Sequence, residues 1–341
     1  MTAAVNAPGR GVPPSEGALA GPGPGPRRGR RKKWTLDRIS FFIVFLGLPL
    51  ALFLIFVINP FIQAGYYSLT NWSGFSPEQE FVGLQNFIDL AQDPRFTNAV
   101  GNSVILGLVV PFVTLTIALI FAILITIGGA GRGQIRGVKG AGFYRVVSLF
   151  PYVIPGIAIG LIWRLILDPS SGLVNGVLTG LGLDQFESFA WLGNVTTAMP
   201  ASIFVIVWGF VGFYMLLFIA AIKGIPAEIY EAARLDGAGR ARMSWSITLP
   251  LIRDNVQTAY IYIGIMALDA YVYMQALNPQ GGPDSSTLVM SQQLFRTAFA
   301  ESKFGYASAM GVVIALVTLV FAALVFTVNR LAGGKDEGGA S

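Results

Sequence analysis

The sequence contains neither cysteine nor histidine, and only 12% of its 341 residues are charged. Without those two residue types the chain has no disulfide, no thiol nucleophile, no Cys/His metal ligand and no imidazole acid–base group. Soluble domains carry about 25% charged residues, whereas 54% of this chain is hydrophobic. The composition therefore predicts an integral membrane protein without a metal site or a cofactor.

The chain also lacks a G-x-x-x-x-G-K-[ST] loop for nucleotide phosphates, since the glycines at 128–131 lead only into basic residues. Asp269 is the only acidic residue inside an apolar segment, so an intramembrane acid–base pair is missing as well. An intramembrane enzyme, which is an alternative for a chain of this composition, is therefore disfavoured. We predict a protein that is not an enzyme.

Six apolar segments are each long enough for a helix to cross a bilayer, which takes about 20 residues. Their approximate bounds are 39–63, 102–127, 144–167, 199–222, 256–277 and 306–329. The strands of a membrane β-barrel would be about 10 residues long and alternating. Pro151 and Pro155 predict a kink in the third segment, which suits a helix beside a cavity. The sequence thus predicts an all-α membrane protein with six transmembrane helices.

Basic residues are concentrated at alternate ends of these segments. The basic regions contain Arg27, Arg28, Arg30, Arg31, Lys32, Lys33 and Arg38, then Arg132, Arg136 and Lys139, then Lys223, Arg234, Arg240, Arg242 and Arg253, and finally Arg330 and Lys335. The other three loops hold only Arg95, Arg296 and Lys303. By the positive-inside rule both termini are predicted to be cytoplasmic. The net charge of +5 is thus a topology signal, and no nucleic-acid partner is expected.

Three regions are predicted along the chain. Residues 1–33 form a Gly/Pro-rich basic tail that buries too little apolar surface to fold. Residues 34–333 form the six-helix membrane domain with a cytoplasmic loop at 223–253, and 334–341 form a short cytoplasmic tail. The first apolar run is too long for a cleaved leader. Aromatic residues in the external loops 68–97 and 168–198 are interpreted as interfacial anchors or, alternatively, as a docking surface for an external partner.

The cytoplasmic loop 223–253 reads as two short helices joined by a turn. Pro226 suits a first helical turn, where Glu228 and Glu231 favour the helix dipole. Gly237 and Gly239 then break the helix, and a second helical stretch ends near a proline. The predicted apolar face of the first helix consists of Ile225, Ile229, Ala232 and Ala233, and the second helical stretch runs through Met243, Ile247 and Leu249. The loop is expected to present small residues and one exposed carboxylate to a partner.

The same loop resembles the signature loop of permease subunits in binding-protein-dependent ABC importers. The matching positions are Glu231, Ala232, Ala233, Gly237, Ile247, Leu249 and Pro250, with Glu228 and Asp236 in the same loop. The resemblance implies a type I importer permease fold whose coupling helix sits in a cleft of a cytoplasmic ATPase dimer. It places Glu231 against a basic group of that ATPase and Gly237 at the turn.

The resemblance extends over residues 41–331 to maltose- and glycerol-phosphate-type permeases of carbohydrate importers. It rests on the segments 81–87, 151–175 and 269–287, with Leu268 in place of an aromatic residue and a longer stretch before Gly281. It implies uptake of a sugar, a second homologous permease, an external solute-binding (lipo)protein and a bacterial cell membrane. The external loops are similar to those of carriers from high-GC Gram-positive bacteria. For these, amino sugars such as N-acetylglucosamine or chitobiose are expected, the alternative being a glycerol phosphate ester.

Polar side chains within the apolar segments are candidates for the substrate pathway, because such groups usually face a cavity or the bundle interior. These candidates are Trp163, Arg164, Asp269, Tyr271, Gln275 and Asn278. Tyr271 and Gln275 are four residues apart and are predicted to share a helix face. Two alternatives are that Asp269 pairs with Arg164 or a backbone group to hold helices together and that the tyrosines contact lipid headgroups. Arg164 is almost the only basic group in a segment interior, which favours a neutral solute over an anion.

Overall fold

The computed structural model of the chain describes residues 40–127 and 140–333. The described residues are helical, and their only β feature is a single antiparallel bridge between Thr70 and Phe81. The all-α prediction is confirmed. The two predicted tails, the basic residues before residue 40, and Arg132, Arg136 and Lys139 lie outside the described residues.

The chain divides into two units, Met1–Ile58 and Asn59–Ser341. In the first unit, α1 covers residues 40–58 and includes the π-helical turns Ile43–Gly47 and Leu54–Ile58. It is apolar on all sides and buries none of its side chains within the structure. A helix of this kind suits a lipid environment better than water.

The second unit contains the remaining helices. They are α2 (Asn59–Tyr67), α3 (Gln85–Gln92), α4 (Pro94–Ile127), α5 (Ala141–Val153), α6 (Gly156–Ile166), α7 (Leu173–Gly180), α8 (Val195–Lys223), α9 (Ala227–Leu235), α10 (240–251), α11 (Arg253–Asp269), α12 (Tyr271–Leu277), α13 (Met290–Phe299) and α14 (Phe304–Gly333). The predicted external loops therefore contain short helices of their own, since α3 lies in the first and α7 in the second. The second apolar segment begins at Pro94 rather than at residue 102.

Four continuous helical stretches of the described chain are long and apolar enough to cross a membrane: Ser40–Tyr67, Pro94–Thr126, Val195–Lys223 and Phe304–Val328. Two pairs of consecutive helices, α5 with α6 and α11 with α12, are also long and apolar enough when the two helices of each pair are taken together, although each pair is bent at a short break. Counting each pair as one span gives six. The structure thus supports a multi-pass membrane protein, and six spans stay a prediction.

The third apolar segment is broken far more sharply than a kink, because α5 and α6 meet at 96°. Pro155 disfavours the helical conformation of the residue before it, and Ile154 is extended with ψ 133°. The fifth segment was predicted as one helix over 256–277, and this is wrong. It breaks at Ala270, whose φ is 28°, and its halves are bent by 46°.

The core of the second unit lies between α4, α8 and α11. Leu106, Val110, Phe218 and Ile263 are fully buried there. Small residues let these helices approach closely: a Cβ on Gly107 would collide with the side chain of Leu268. α8 ends at Lys223, where loop 223–253 starts, and α11 begins at Arg253, where that loop ends. Loop 223–253 therefore lies at one end of the bundle, and segments 168–194 and 278–289 lie at the other.

Candidate functional site

The loop 223–253 folds into α9 and α10, joined by a tight turn. Pro226 precedes α9, and Glu228 lies in its first turn, as a helix N-terminus favours. Gly237 ends the helix in the left-handed region with φ 78°. Its N–H donates to the Arg234 carbonyl at 3.0 Å, and the N–H of Ala238 donates to the Ala233 carbonyl at 2.9 Å. These bonds satisfy carbonyls that the end of a helix leaves free and direct the chain into α10.

A cluster of buried side chains joins α9 to α10. Tyr230 is only 1% exposed and packs with Ala233 and Met243. Its hydroxyl lies 2.9 Å from Thr248 Oγ1, which donates to the Met243 carbonyl at 3.0 Å. Tyr230 Oη therefore donates to Thr248, and burial raises the pKa of this tyrosine, so it stays neutral. The two helices are thus locked together as one rigid piece.

The predicted apolar face of α9 is partly wrong. Ala233 is buried and Ile225 is half-buried, but Ile229 and Ala232 are exposed. The buried face runs through Tyr230 and Ala233 instead, which are three residues apart and so lie on one side of the helix. Tyr230 is a core residue that sequence reasoning missed, although its aromatic ring in a polar loop was a usable signal.

The opposite side of α9 forms an exposed surface, here called the docking face. It consists of Glu228, Glu231, Ala232, Leu235 and Asp236. Three carboxylates are exposed rather than the one predicted, and none forms an ion pair within the described chain. Leu235 is 90% exposed, and sequence reasoning missed it. A single exposed leucine is ordinary on a protein surface, so Leu235 and the unpaired carboxylates show only that this face is available to a partner.

The remaining residues that match the signature loop lie on α10 and are not part of the docking face. Ile247 is half-buried and packs against the cluster around Tyr230. Leu249 is half-buried and lines an apolar cavity of about 520 Å³ together with Tyr260 and Phe321. Pro250 lies in the last turn of α10. The chain bends at Ile252, two residues beyond the proline, before α11 begins.

The candidate pathway residues fall in separate places. Asp269 is exposed at the break between α11 and α12, where its backbone carbonyl accepts a hydrogen bond from Ser291 Oγ. Tyr271 follows directly, with its ring 5.5 Å from that of Phe295. Asp269 and Arg164 form no ion pair in the described chain, so the predicted alternative of a helix-holding pair is not seen. Tyr271 and Gln275, which were predicted to share a helix face, both lie on α12 after the break.

Gln275 and Asn278 belong to a polar network with α13. Gln292 Nε2 donates to Gln275 Oε1 at 3.3 Å and to the Asn278 carbonyl at 3.0 Å. The Asn278 side chain is 7% exposed, and its Nδ2 has no hydrogen-bond partner among the described residues. Gln275 thus holds α12 to α13, whereas the amide of Asn278 keeps unused hydrogen-bonding capacity.

Arg164 and Asn278 line one cavity of about 350 Å³, together with Asp168 and Gln280. Trp163 is adjacent in sequence but lines a different, apolar cavity of about 430 Å³. Its ring packs edge-to-face against Phe204 at 5.1 Å and Trp208 at 5.4 Å. The geometry brings Arg164 and Asn278 together and assigns Trp163 to packing.

Aromatic residues of segment 168–194 hold the segment itself together. Trp191 stacks on Phe186 at 5.5 Å and contacts Phe189 at 4.8 Å. Its Nε1 donates to Asn175 Oδ1 at 2.7 Å, and Asn175 Nδ2 donates to the Phe189 carbonyl at 3.0 Å. Neither predicted role for these aromatics, anchoring or docking, describes this internal packing. In loop 68–97, by contrast, Phe75 remains 78% exposed.

Comparisons with known proteins match this architecture. Residues 17–333 match the family described as binding-protein-dependent transport system inner membrane component. The diacetylchitobiose uptake system permease protein NgcF of Streptomyces coelicolor is 61% identical over 327 residues, covering 95% of this chain and 93% of that protein. The trehalose/maltose transport system permease protein MalF of Thermococcus litoralis is 30% identical, with 82% and 90% covered. A chain of the bacterial alginate ABC transporter, solved in complex with an alginate pentasaccharide-bound periplasmic protein, shares the fold with a TM-score of 0.73 at 23% identity, with 88% and 98% covered.

Proposed function

Because the chain belongs to the family of inner membrane components of binding-protein-dependent transport systems, we propose that it is one of two permease subunits of an ABC importer for an N-acetylated amino disaccharide. The docking face of α9 carries the proposal for the ATPase partner. The 61% identity to a diacetylchitobiose uptake permease supports the substrate class.

The docking face has the properties that a coupling surface requires. Its carboxylates lie on a short helix that Tyr230 and Thr248 tie to α10, so the surface moves as one piece with the start of α11. We expect Glu231 to meet a basic group of the ATPase, with Leu235 beside it on the same face. Since α9 lies in the loop with the most basic flanks, the loop is proposed to be cytoplasmic, as are both termini.

Transport then requires partners on both sides of the membrane. An external solute-binding protein delivers the sugar, and an ATPase dimer drives the alternation of the two permeases between outward and inward openings. This chain is proposed to supply half of the pathway, with six spans, in a bacterial cell membrane. Asp269, Tyr271 and Asn278 are proposed to lie along it, while Gln292 of α13 holds both the Gln275 side chain and the Asn278 carbonyl.

Glu231→Lys tests the coupling role in the complete transporter reconstituted in vesicles. Because a lysine would repel the basic group that Glu231 is proposed to meet, uptake of radiolabelled diacetylchitobiose should be abolished and ATPase activity should become independent of the binding protein. The variant should still insert and assemble, because Glu231 is exposed and forms no ion pair in the described chain.

Glu187→Lys is the matched control, since Glu187 is an exposed carboxylate outside the loop. It should transport normally. Normal uptake by Glu231→Lys would refute the coupling role. An unsubstituted transporter that assembles but moves glycerol 3-phosphate and no sugar would instead refute the substrate class.

A further inference from the structure

The cavity between the end of α6 and the end of α12 has the composition of a small-molecule site. Arg164, Pro279 and Gln280 are exposed and form its rim, while Leu167, Leu277 and Asn278 are buried and form its floor. Its volume of about 350 Å³ lies at the lower end of the roughly 300–1,000 Å³ that ligand pockets span. It lies at the end of the bundle opposite the docking face.

The two charged groups of the cavity, Arg164 and Asp168, form no ion pair with each other and are available to a ligand. Arg164 forms no ion pair within the described chain, so its guanidinium donors are free. Asp168 Oδ1 accepts the N–H groups of Ser170 and Ser171, both at 2.9 Å. These bonds lower the pKa of Asp168, so its carboxylate is ionised at neutral pH. Its Oδ2 accepts no hydrogen bond from the described residues.

The positions of these groups are fixed by their backbones. The N–H of Asn278 donates to the Met274 carbonyl at 2.8 Å, and the Asn278 carbonyl accepts from Gln292 Nε2 and from Gly281 N–H, both at 3.0 Å. Gly172 lies so close to the Asp168 carbonyl that a Cβ there would collide with it. The turn after α6 therefore needs glycine at this position. The polar groups are preorganised by these contacts.

The presence of one cation and one anion in the same cavity disfavours ligands that carry charge of a single sign. A phosphate ester would meet the Asp168 carboxylate, and a cation would meet Arg164. A pyranose ring satisfies both, because its hydroxyls donate and accept and its C–H faces can cover Leu167 and Leu277. The geometry points to a sugar subsite in this cavity, sized for one neutral pyranose ring. This inference rests on the proposed sugar transport and adds a second place on the path, apart from Asp269 and Tyr271.

The natural absence of cysteine makes the subsite testable by labelling. Gln280→Cys places one thiol at the rim of the cavity in the full transporter, and Glu187→Cys places one on an exposed site that does not line the cavity. Free N,N′-diacetylchitobiose should slow the maleimide reaction of Gln280→Cys severalfold without affecting Glu187→Cys. Glycerol 3-phosphate should protect neither thiol. Adding Arg164→Gln to Gln280→Cys should remove the protection.

Three results would overturn the inference. The sugar could leave labelling unchanged, glycerol 3-phosphate could protect equally well, or the sugar-free binding protein alone could protect Gln280→Cys. The last result would make the cavity a contact for that protein. Uptake of diacetylchitobiose by the cysteine-free parent is measured in parallel. If the parent transports the sugar but the thiol is not protected, the subsite is wrong and the proposed function stands.

Discussion

The hydrogen bond between Tyr230 and Thr248 predicts an unequal response to removal of its two partners. Tyr230→Phe deletes the donor hydroxyl, but Thr248 Oγ1 still donates to the Met243 carbonyl and is not orphaned. The cost is then that of an ordinary buried hydrogen bond, about 0.5–1.5 kcal/mol. Thr248→Val has nearly the same shape but strands the Tyr230 hydroxyl at a site that is 1% exposed. An unsatisfied buried donor costs about 1–3 kcal/mol, so Thr248→Val should be the worse substitution.

Hydrogen exchange of the complete transporter measures this locally, because protected amides report the free energy of opening their own segment. The Ala238 N–H, which bonds the Ala233 carbonyl across the turn, is a suitable reporter. A loss of 1–2 kcal/mol should accelerate its exchange about 5- to 30-fold. The double variant Tyr230→Phe/Thr248→Val should exchange more slowly than Thr248→Val alone, because no hydroxyl remains to be orphaned.

Two results would refute this reasoning. If Tyr230→Phe loosened the turn more than Thr248→Val, the assigned direction of the hydrogen bond would be wrong. If neither substitution changed exchange while binding-protein-stimulated ATPase activity persisted, the bond would not be what locks α9 to α10. Ser246→Ala is a control, since Ser246 is an exposed hydroxyl on the same helix.

Two further predictions concern packing and sidedness. Gly212→Ala should prevent proper packing of α5 against α8, because a Cβ there would collide with the Ser148 carbonyl. The yield of monodisperse protein should therefore fall sharply. Gly101→Ala is the control and should not lower that yield, because Gly101 has open space around it. Leu235→Cys, in a chain without other cysteines that is expressed without the ATPase proposed to cover this face, should react with a membrane-impermeant maleimide only from the cytoplasmic side. Reaction from outside intact cells would reverse the proposed topology.

Much of the fold follows from local sequence features. Long apolar runs give the spanning helices because every backbone group must be satisfied inside the membrane. Pro155 marks the break after α5, although its 96° angle could not be read from one proline. No residue type in the sequence predicts the break at Ala270, because alanine is the best helix former. It is supported by a contact distant in sequence, the hydrogen bond of Ser291 Oγ to the Asp269 carbonyl.

The candidate site shows the same division between local and tertiary information. Pro226 and Gly237 predict where α9 begins and ends, because both act through their own backbone conformations. The buried side of α9 was assigned partly wrongly, since Tyr230 is held by Thr248, eighteen residues further along the chain. The cavity could not be predicted at all. It needs the ends of α6 and α12 to meet, which depends on how both broken segments bend.

The docking face and the cavity are connected through α11 and α12. The locked pair α9–α10 reaches α11 through Ile252, which is 1% exposed and leaves the helical conformation with φ −105° and ψ 11°. Because this joint is buried, we expect a displacement of the docking face to be passed to α11 rather than absorbed in a loose linker. α11 ends at Asp269, and a 46° bend at Ala270 separates it from α12, which Asn278 follows directly. A change in that bend would move the two proposed sugar contacts relative to each other, which a rigid straight helix could not do.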